Sequence, residues 1–389
     1  MKKALLANSL YYPNVGGVEN SLRAINKVLV EAGWHVDILA SDNDQSSQVP
    51  LEPLSKTGIE TIHRYSYRGA LGPLSQVKNA KKKIKEINPS GNYDLVIARS
   101  QVAVLAAWLA GVKNINYVIP AVSAYQNKSL FDQANLARKI NFTISSILQR
   151  IALSKADKNF VFSLEMRDQV SRFTKEKVAV ELVFPGVDKD RFHDPDGNLR
   201  VEHRKRMGFS DDDIVLLCLG RFNKVKGFEY AIESLEYLDE RYKLVIVGEG
   251  GEKKNYLKVA KEHKLEARVL FFDKTTRPEE FYWSSDVFLL SSLHEPFGQV
   301  LLEATASGLP VAAFNKKAEV NTATEEIYTS NPELIRFASE MSGKALSVAA
   351  AEAYKAKACF QEDFEHSRQG FLSQYSWKSM VEVLYGSKI

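Results

Sequence analysis

The sequence predicts an α/β protein of two doubly wound domains, and three observations lead to that prediction. The chain has 389 residues, which is too long for one ordinary hydrophobic core. Short apolar runs alternate with longer segments of helical periodicity, as in parallel sheets that are covered by helices. The alternation stops at VFPGVDKDRFHDPDG, a stretch dense in Pro, Gly and Asp, and then starts again. This stretch is therefore the predicted domain boundary.

The first half begins with a predicted strand, KALLANS, and a loop that contains Pro13, Gly16 and Gly17. A helix is predicted over VENSLRAINKVLVEAG, where apolar residues recur at helical spacing and Gly33 ends the pattern. VAVLAAWLAG is a second predicted helix. The remaining predicted strands of this half are HVDILAS, YDLVIARS, NINYVIP, KNFVFS and VELVFPG.

The second half repeats the pattern, with a predicted helix at FEYAIESLEYL and another from near Gly298 to about Ala306. Its predicted strands are DIVLLCLGRF, YKLVIVGEG, ARVLFF, DVFLLSS and LPVAAF. Ligands of open α/β sheets bind beyond the carboxyl ends of the strands. Two such domains therefore predict a site in the cleft between them.

Composition and charge narrow the classes of function. Hydrophobic residues make up 45% and charged residues 26% of the chain, which is ordinary for a soluble globular protein. The net charge of +4 favours anionic small molecules or an acidic membrane surface, and it is too small to indicate nucleic acid. Cys218 and Cys359 lack the spacing of a metal or disulfide framework, which predicts a reducing, cytoplasmic compartment. We expect no membrane-spanning segment.

The stretch HEPFGQVLLEATASGLPVAAF indicates an anion site at the start of a helix. Gly298 lets backbone N–H groups approach a ligand, and the helix dipole favours negative charge there. Glu295 would lie in the loop, and Glu303 would lie in the second helical turn with its side chain directed back. An anion flanked by two carboxylates suits a nucleotide sugar. The alternative is an amphipathic helix with a surface Glu303, which leaves the flanking 296–298 and 307–310 turns unexplained.

A diphosphate also needs cations, and GRFNKVKG supplies them directly after a predicted strand. Gly220 turns the chain, so that Arg221 and Lys226 lie at the strand's carboxyl end. Arg forms a fork onto phosphate oxygens and Lys adds a point charge. For Lys224 we favour a solvated loop position. Gly248, in VGEG after the next strand, is weak support by itself.

These stretches, together with VFPGVDKDRF, closely resemble family 4 of the retaining glycosyltransferases, which has the GT-B fold. That fold has two Rossmann-like doubly wound domains that face a central cleft. The N-terminal GGVENSLRAINKVLVEAGWHVDILAS and the tail YSWKSMVEVLY resemble the family as well. The resemblance implies an acceptor-binding domain over 1–190 and a donor-binding domain over 191–372. The helix at 373–389 is expected to cross back onto the first domain.

The resemblance also implies an activity and residue roles. A sugar would pass, with retention at the anomeric carbon and without a metal or other cofactor, from a UDP- or GDP-linked donor to a glycan or lipid-linked acceptor. The predicted catalytic residues are Glu295, which would contact the donor sugar, and Arg221 and Lys226, which would hold the diphosphate. Such cations stabilise the charge that grows on the leaving diphosphate. The other predicted donor contacts are Gly16, Gly17, Gly248, Phe297, Gly298, Gln299, Val300 and the ribose-binding Glu303.

The sequence departs from the family pattern in two places. Many members carry His-x-His where this chain has Ile97 and Arg99, and another histidine where it has Pro120. Arg99 and Gln101 are either acceptor or phosphate contacts or ordinary loop residues. After LPVAAF the usual glycine pair is replaced by NKKAEV, in which Glu319 is a weak match. The acceptor-side chemistry and the donor-sugar contacts of this loop are therefore unassigned.

Three Asp-x-Asp patterns, at 42–44, 194–196 and 211–213, would suit Mg²⁺ or Mn²⁺ in a different transferase fold. Asp is a common turn residue and all three lie in predicted loops, so we interpret them as structural. His294 precedes Glu295, and a loop histidine is more often a surface residue. The histidines show no ligand spacing, and we expect no metal site.

Two basic segments bear on partners. VKNAKKKIKEI (77–87) and the long amphipathic 134–158 either lie on an anionic membrane surface or are ordinary packed helices with solvated basic faces. The expected location is cytoplasmic or peripheral on the inner membrane face, and the expected pathway is surface polysaccharide, lipopolysaccharide or glycolipid synthesis. The alternatives are transfer to a small soluble acceptor and an inactive sugar-nucleotide-binding partner protein.

Overall fold

The computed structural model describes residues 1–12, 14, 16–43, 59–67, 72–126 and 136–389, which form two compact units. Unit 1 comprises Met1–Gly186 and Ser376–Ile389, and unit 2 comprises Val187–Tyr375. Pro13, Asp44 and the first two residues of the 134–158 segment lie outside the described residues. Which substrate each unit binds stays a prediction.

The described strands of unit 1 form a parallel sheet in the order β3-β2-β1-β4-β5-β6-β7. Leu6 of β1 lies opposite Ile38 of β2 and Ile97 of β4, so strands that are distant in sequence flank the central strand. The strands are Lys3–Ala7 (β1), His35–Ser41 (β2), Ile59–Tyr65 (β3), Leu95–Ala98 (β4), Ile115–Val118 (β5), Lys158–Val161 (β6) and Glu181–Leu182 (β7). The strand order reverses between β1 and β4, which is where such sheets bind ligands.

Helices pack on this sheet through apolar faces at helical spacing. In the first helix Leu22, Ile25 and Leu29 are buried. The tail helix packs on the same unit, where the rings of Tyr385 and Trp34 meet edge to face at 5.0 Å. The helices are Gly17–Glu31 (α1), Pro73–Ile87 (α2), Gln101–Ala110 (α3), Ser123–Gln126 (α4), Leu136–Lys155 (α5), Leu164–Thr174 (α6) and the tail Trp377–Tyr385.

The described strands of unit 2 form a second parallel sheet in the order β10-β9-β8-β11-β13-β15. Its order reverses between β8 and β11, where Leu216 lies opposite Val287. The strands are Ile214–Leu219 (β8), Tyr242–Val247 (β9), Val269–Phe272 (β10), Val287–Leu290 (β11), Val311–Phe314 (β13) and Ile335–Ala338 (β15). Two short strands, His294–Glu295 (β12) and Asn321–Thr322 (β14), pair beside it. The predicted class, two doubly wound α/β units, is confirmed.

The helices of unit 2 begin with Gly197–Met207 (α7), where Asp196 accepts a hydrogen bond from Leu199 N as the N-cap. The others are Phe228–Ser234 (α8), Lys253–Glu262 (α9), Glu279–Ser284 (α10), Gln299–Ala306 (α11), Thr324–Ile327 (α12), Gly343–Cys359 (α13) and Gln361–Ser373 (α14), and the tail Trp377–Tyr385 of unit 1 is α15. Within the described part of the chain, no helix has the length and apolar character that crossing a bilayer requires.

Candidate functional site

The predicted donor residues of unit 2 collect at the point where its strand order reverses. The neighbouring strands β8 and β11 end at Leu219 and Leu290, so the loops that follow them begin side by side. The first loop carries Arg221 and Lys226, and the second leads to Glu295. The backbone N of Leu293 donates to Val225 O at 2.8 Å and links the two loops. Sequence-distant motifs are thus brought together at one end of one sheet.

Lys226 and Glu295 form an ion pair, which sequence analysis did not predict. Lys226 Nζ lies 2.5 Å from Glu295 Oε2, and both side chains are largely buried. The backbone of Lys226 is fixed by Ser291 Oγ, which donates to its carbonyl at 2.9 Å. Glu295 is held by the β12–β14 pairing, in which Ala323 N donates to its carbonyl at 3.1 Å. Sequence analysis gave these two residues separate contacts with the donor, whereas here each neutralises the other.

Arg221, directly after the sheet, is exposed. Among the described residues its guanidinium has no hydrogen-bond or ion-pair partner, so it is available to an anion. Lys224 is also exposed, as expected for a solvated loop position.

Gly248 fixes how closely the β8 and β9 loops approach each other. Its φ of +151° favours glycine, and an added Cβ would lie 1.9 Å from the carbonyl oxygen of Gly220. Its role here is therefore backbone packing next to the Arg221 loop.

The start of α11 has the geometry of an anion site. Gly298 is the N-cap with φ +84°, a left-handed conformation, and no side chain caps the helix. Gln299 and Val300, both half-buried, lie in the first turn, where the backbone N–H groups of an α-helix point out of the helix end and can meet a ligand. Phe297 is buried, with its ring centroid 6.2 Å from that of Tyr375. The predicted helix limits of about 298–306 agree with Gln299–Ala306.

Glu303 lies inside α11 and is buried, with 8% of its surface exposed. Tyr282 donates from its hydroxyl to Glu303 Oε2 at 2.9 Å. Burial raises the pKa of the Glu303 carboxyl to about 7, although the Tyr282 hydrogen bond and the charge of Arg191 lower it. A surface position for Glu303, the alternative considered above, is wrong because this side chain faces the interior.

The sequence did not predict the two residues that stabilise the ionised Glu303 carboxyl, Tyr282 and Arg191. Each of them has a further contact. Arg191 and Glu279 form an ion pair at 2.5 Å, and Phe192 meets the Tyr282 ring edge to face at 5.6 Å. Arg191 and Phe192 lie in VDKDRF, a stretch that carried the family resemblance, which was the available signal. Tyr282 had no such signal because one tyrosine in a helix is unremarkable.

The remaining predicted donor contacts, Gly16 and Gly17, lie in unit 1 at the start of α1. Gly16 is the N-cap, and a Cβ there would lie 2.5 Å from Glu19 Oε2. Gly17 is exposed, with open space where a side chain would be. Gln101 donates to Ser145 Oγ at 2.8 Å, and whether it also contacts a ligand stays open.

The aspartate patterns behave as turn residues where they are described. Asp196 caps α7, and Asp213 accepts from Ser210 N at 2.8 Å. Within the described ranges no group of three His, Cys, Asp or Glu side chains is arranged to hold a metal ion. The metal-free site remains a prediction.

Both halves of the chain are similar to known glycosyltransferase families. Residues 15–191 match the family model of Glycosyltransferase Family 4, and residues 200–328 match that of Glycosyl transferases group 1. An O-antigen biosynthesis glycosyltransferase, WclY of Escherichia coli, is 34% identical over 134 residues, 34% of this chain and 37% of that protein. The N-acetyl-alpha-D-glucosaminyl L-malate synthase of Bacillus anthracis is 26% identical over 56% of this chain and 60% of its own length. The matched stretches thus span less than two thirds of these relatives.

Solved structures share the fold over almost the whole chain. Sucrose-phosphate synthase from Thermosynechococcus elongatus superposes with a TM-score of 0.79 at 18% identity, covering 99% of this chain and 97% of that one. HepE from Anabaena, in complex with UDP and glucose, gives a TM-score of 0.74 at 16% identity, covering 99% of both chains. Identities this low establish the fold alone.

Proposed function

Because this chain belongs to the GT-B glycosyltransferases, of the group 1 and family 4 type, we propose that it transfers a sugar from a nucleoside diphosphate donor. The acceptor proposed is a glycan or lipid-linked sugar in surface polysaccharide or lipopolysaccharide synthesis. Support for that pathway comes from the O-antigen relative. The UDP and glucose bound to HepE support a nucleotide sugar as donor.

The observation that carries the proposal is the Lys226–Glu295 ion pair beside the uncapped start of α11. A diphosphate at the helix N-terminus would attract Lys226 away from Glu295, and Arg221 stands exposed on the same loop. Glu295 would then be released to accept hydrogen bonds from hydroxyl groups of the sugar. Glu303, buried in the second turn of α11, would accept hydrogen bonds from the ribose hydroxyls.

The reaction can be written on these residues alone. The bond from the sugar's anomeric carbon to the diphosphate oxygen breaks, and a bond from an acceptor hydroxyl oxygen forms. The diphosphate leaves with the electron pair of the broken bond, and its oxygen takes up the hydroxyl proton. Arg221, Lys226 and the α11 N–H groups would stabilise that charge without a metal. Retention of anomeric configuration is the outcome that the family resemblance implies.

Donor turnover tests the proposal. We expect purified protein to release nucleoside diphosphate from one nucleotide sugar, faster with acceptor, and Glu295→Ala to lower the rate about 100-fold. Glu236→Ala is the matched control, because that exposed glutamate follows the C-terminal end of α8 and pairs with His263 at the C-terminal end of α9. Proton NMR of the product's anomeric signal reports retention or inversion.

Two other outcomes correspond to the alternatives. Turnover with a small soluble acceptor and none with lipid-linked acceptors would favour the soluble transferase. Nucleotide binding without turnover on any acceptor would favour an inactive binding partner. Equal rates in wild type and Glu295→Ala would contradict the assigned site.

A further inference from the structure

We propose that Arg99 binds an anionic oxygen group, phosphate or carboxylate, carried by the sugar acceptor in unit 1. That the anion belongs to an acceptor rests on the proposed function. The anion site itself rests on the geometry of unit 1. From the sequence, Arg99 is either a ligand contact or an ordinary loop residue, and this inference makes it a ligand contact.

Arg99 lies where ligands of such sheets bind. It directly follows β4, and its backbone N donates to Ala7 O, the last residue of β1, at 2.8 Å. The strand order of unit 1 reverses between these two strands. This crevice is the topological switch point, the usual ligand position in doubly wound sheets. The glycine loop of Gly16 and Gly17 connects β1 to α1 on the same edge.

The guanidinium of Arg99 is buried without a counter-group. Only 3% of the residue is exposed, and within the described part of the chain neither Nε nor Nη1 has a hydrogen-bond partner. Leaving buried donors of a charged group unsatisfied is costly, and more so than for neutral groups. A bound anion would satisfy one of these donors together with the adjacent Nη2, since each edge of a guanidinium matches two oxygens of a phosphate or carboxylate.

The other buried arginines of the described chain show what a structural arginine looks like. Arg268 donates to the carbonyls of Tyr242, Leu238 and Asp239 at 2.8–3.1 Å. Arg204 pairs with Asp286 at 3.0 Å and donates to three further carbonyl oxygens. Both lie in unit 2 and both are satisfied by protein atoms. Arg99 differs from them in its missing acceptors, which is why a fold-stabilising role does not explain it.

Arg99 keeps its positive charge at neutral pH, and a neighbouring aromatic ring holds it in place. Its guanidinium carbon lies 4.9 Å from the centre of the Phe162 ring, which directly follows β6. The side chain thus extends across the carboxyl edge from β4 past β5 to β6. Burial lowers the pKa of Arg99 to about 10, and attraction to Glu19 opposes the shift. At neutral pH the group is therefore protonated and ready to bind an anion.

The neighbouring helix α3 adds positive charge beside Arg99. Ser100 caps α3 directly after Arg99, so the positive end of a ten-residue helix adjoins a buried cation. Glu19 is the charged group that attracts Arg99 most. An acceptor anion would supply negative charge between these positive groups.

Binding of inorganic phosphate and of acetate tests the site directly. Both probes are titrated by NMR relaxation against a background variant, Arg221→Ala with Lys226→Ala, which removes the cations of the predicted donor site. We expect Arg99→Gln to weaken binding of at least one probe tenfold or more. Arg99→Lys, which keeps the charge without the fork, should weaken it several-fold. Arg268→Gln removes another buried arginine, in unit 2, and should leave probe binding unchanged.

The two probes separate a phosphate-bearing from a carboxylate-bearing acceptor. If phosphate is the ligand, vesicle binding identifies its source. Protein that binds phosphatidic acid vesicles better than phosphatidylcholine vesicles, with the preference lost in Arg99→Gln, would indicate a lipid phosphate. Protein without this preference would indicate a soluble phosphate. Identical binding of both probes to the background variant and to both Arg99 variants would overturn the proposal. Should Arg99→Gln fail to fold, Arg99→Lys decides by the same comparison.

Failure of this inference is distinguishable from failure of the proposed function. Nucleotide binding by unit 2 is measured separately in Arg99→Gln with Arg221 and Lys226 intact, and it should equal that of wild type. A protein that binds phosphate through Arg99 but no nucleotide would refute the transferase proposal alone. Turnover of the donor together with probe binding that the Arg99 variants leave unchanged would refute the anion site alone.

Discussion

At the scale of single residues, Glu303 is a carboxyl group whose burial opposes stability. Its 8% exposure and its raised pKa mean that ionisation at neutral pH occurs in a poorly solvated place. Tyr282 and the charge of Arg191 reduce that cost. Residues that lower stability are retained where a binding role requires them, which fits a carboxylate that receives a ribose.

The first prediction concerns the pH dependence of stability. The pKa of Glu303 is raised in the folded state, from an ordinary value of 4.5 to about 7. The folded state therefore holds this proton more tightly, and stability falls as pH rises from about 4.5 to about 7. Glu303→Gln cannot ionise, so its free energy of unfolding should exceed that of wild type by up to about 3 kcal/mol at pH 8. The difference should vanish near pH 4.5.

Urea unfolding of both proteins between pH 4.5 and 8 measures this difference. Glu240→Gln, at an exposed position, serves as the control. Its unfolding free energy should differ from that of wild type by the same amount at every pH. Tyr282→Phe removes a hydrogen bond that lowers the pKa of Glu303, so it should move the window to higher pH. A Glu303→Gln offset that is constant with pH would contradict an ionisable, buried Glu303.

At the scale of elements, the entry to α11 depends on one glycine. Gly298 has φ +84°, and an added Cβ would lie 3.1 Å from both Glu295 Cγ and Leu301 Cδ1. Gly298→Ala should therefore cost about 1–2 kcal/mol of unfolding free energy. It should also weaken nucleotide binding, because the Cβ displaces Glu295 at the anion site.

Gly197→Ala is the matched control for this substitution. Gly197 is the first residue of α7, has open space around its Cβ position and has no positive φ, so alanine should not lower stability. Urea unfolding and nucleotide calorimetry on both variants measure the effects. Gly298→Ala with the stability and affinity of wild type would show that the left-handed helix entry is dispensable.

The element scale also shows what sequence patterns predict well. Central strands such as β8 and β11 are continuous apolar runs because both faces are covered, and their limits were predicted closely. The strands β3 and β15 were not predicted. They lie at the sheet edges and carry half-buried polar residues, among them Glu60, Arg64 and Arg336, which weaken the apolar signal.

The site was predictable in its parts and not in its pairing. Spacing and turn chemistry identified Arg221, Gly298 and Glu303, because helix starts and glycine turns leave local signals. The Lys226–Glu295 ion pair joins residues 69 positions apart. Such a contact depends on the strand order that places two loops together, and no local pattern records it. The same holds for Arg99, whose missing acceptors are visible only once its neighbours are placed.

At the scale of the whole molecule, the two basic segments differ in what they offer a membrane. In α2 the apolar residues Val77 and Ile84 are buried, and Leu74 is an isolated exposed apolar side chain near the start of the helix. In α5 an exposed apolar stripe is formed by Ile140, Ile147 and Ile151, with exposures of 51%, 52% and 39%. Membrane contact, if it occurs, should therefore depend on α5 more than on α2.

Vesicle sedimentation tests this expectation. Changing Ile140, Ile147 and Ile151 together to Ser should abolish pelleting with phosphatidylglycerol vesicles, because it removes the apolar area that would enter the interface. Changing Lys81, Lys82 and Lys83 to Glu should reduce pelleting at low salt only, since exposed charges are screened. Leu257→Ser, at a comparably exposed position on α9, is the control. Unchanged pelleting of the isoleucine variant would contradict a role for this stripe.

The central claim is that a nucleoside diphosphate binds where the strand order of unit 2 reverses. Calorimetric titration of UDP, GDP, ADP and CMP without added metal into wild type, Arg221→Ala and Arg241→Ala tests it most directly. Arg241 is an exposed arginine of the same unit, paired with Asp239, and serves as the control. We predict that one of the three diphosphates binds, that Arg221→Ala weakens this binding at least about tenfold, and that Arg241→Ala does not. Absence of binding by all four nucleotides, or binding that Arg221→Ala leaves unchanged, would contradict it.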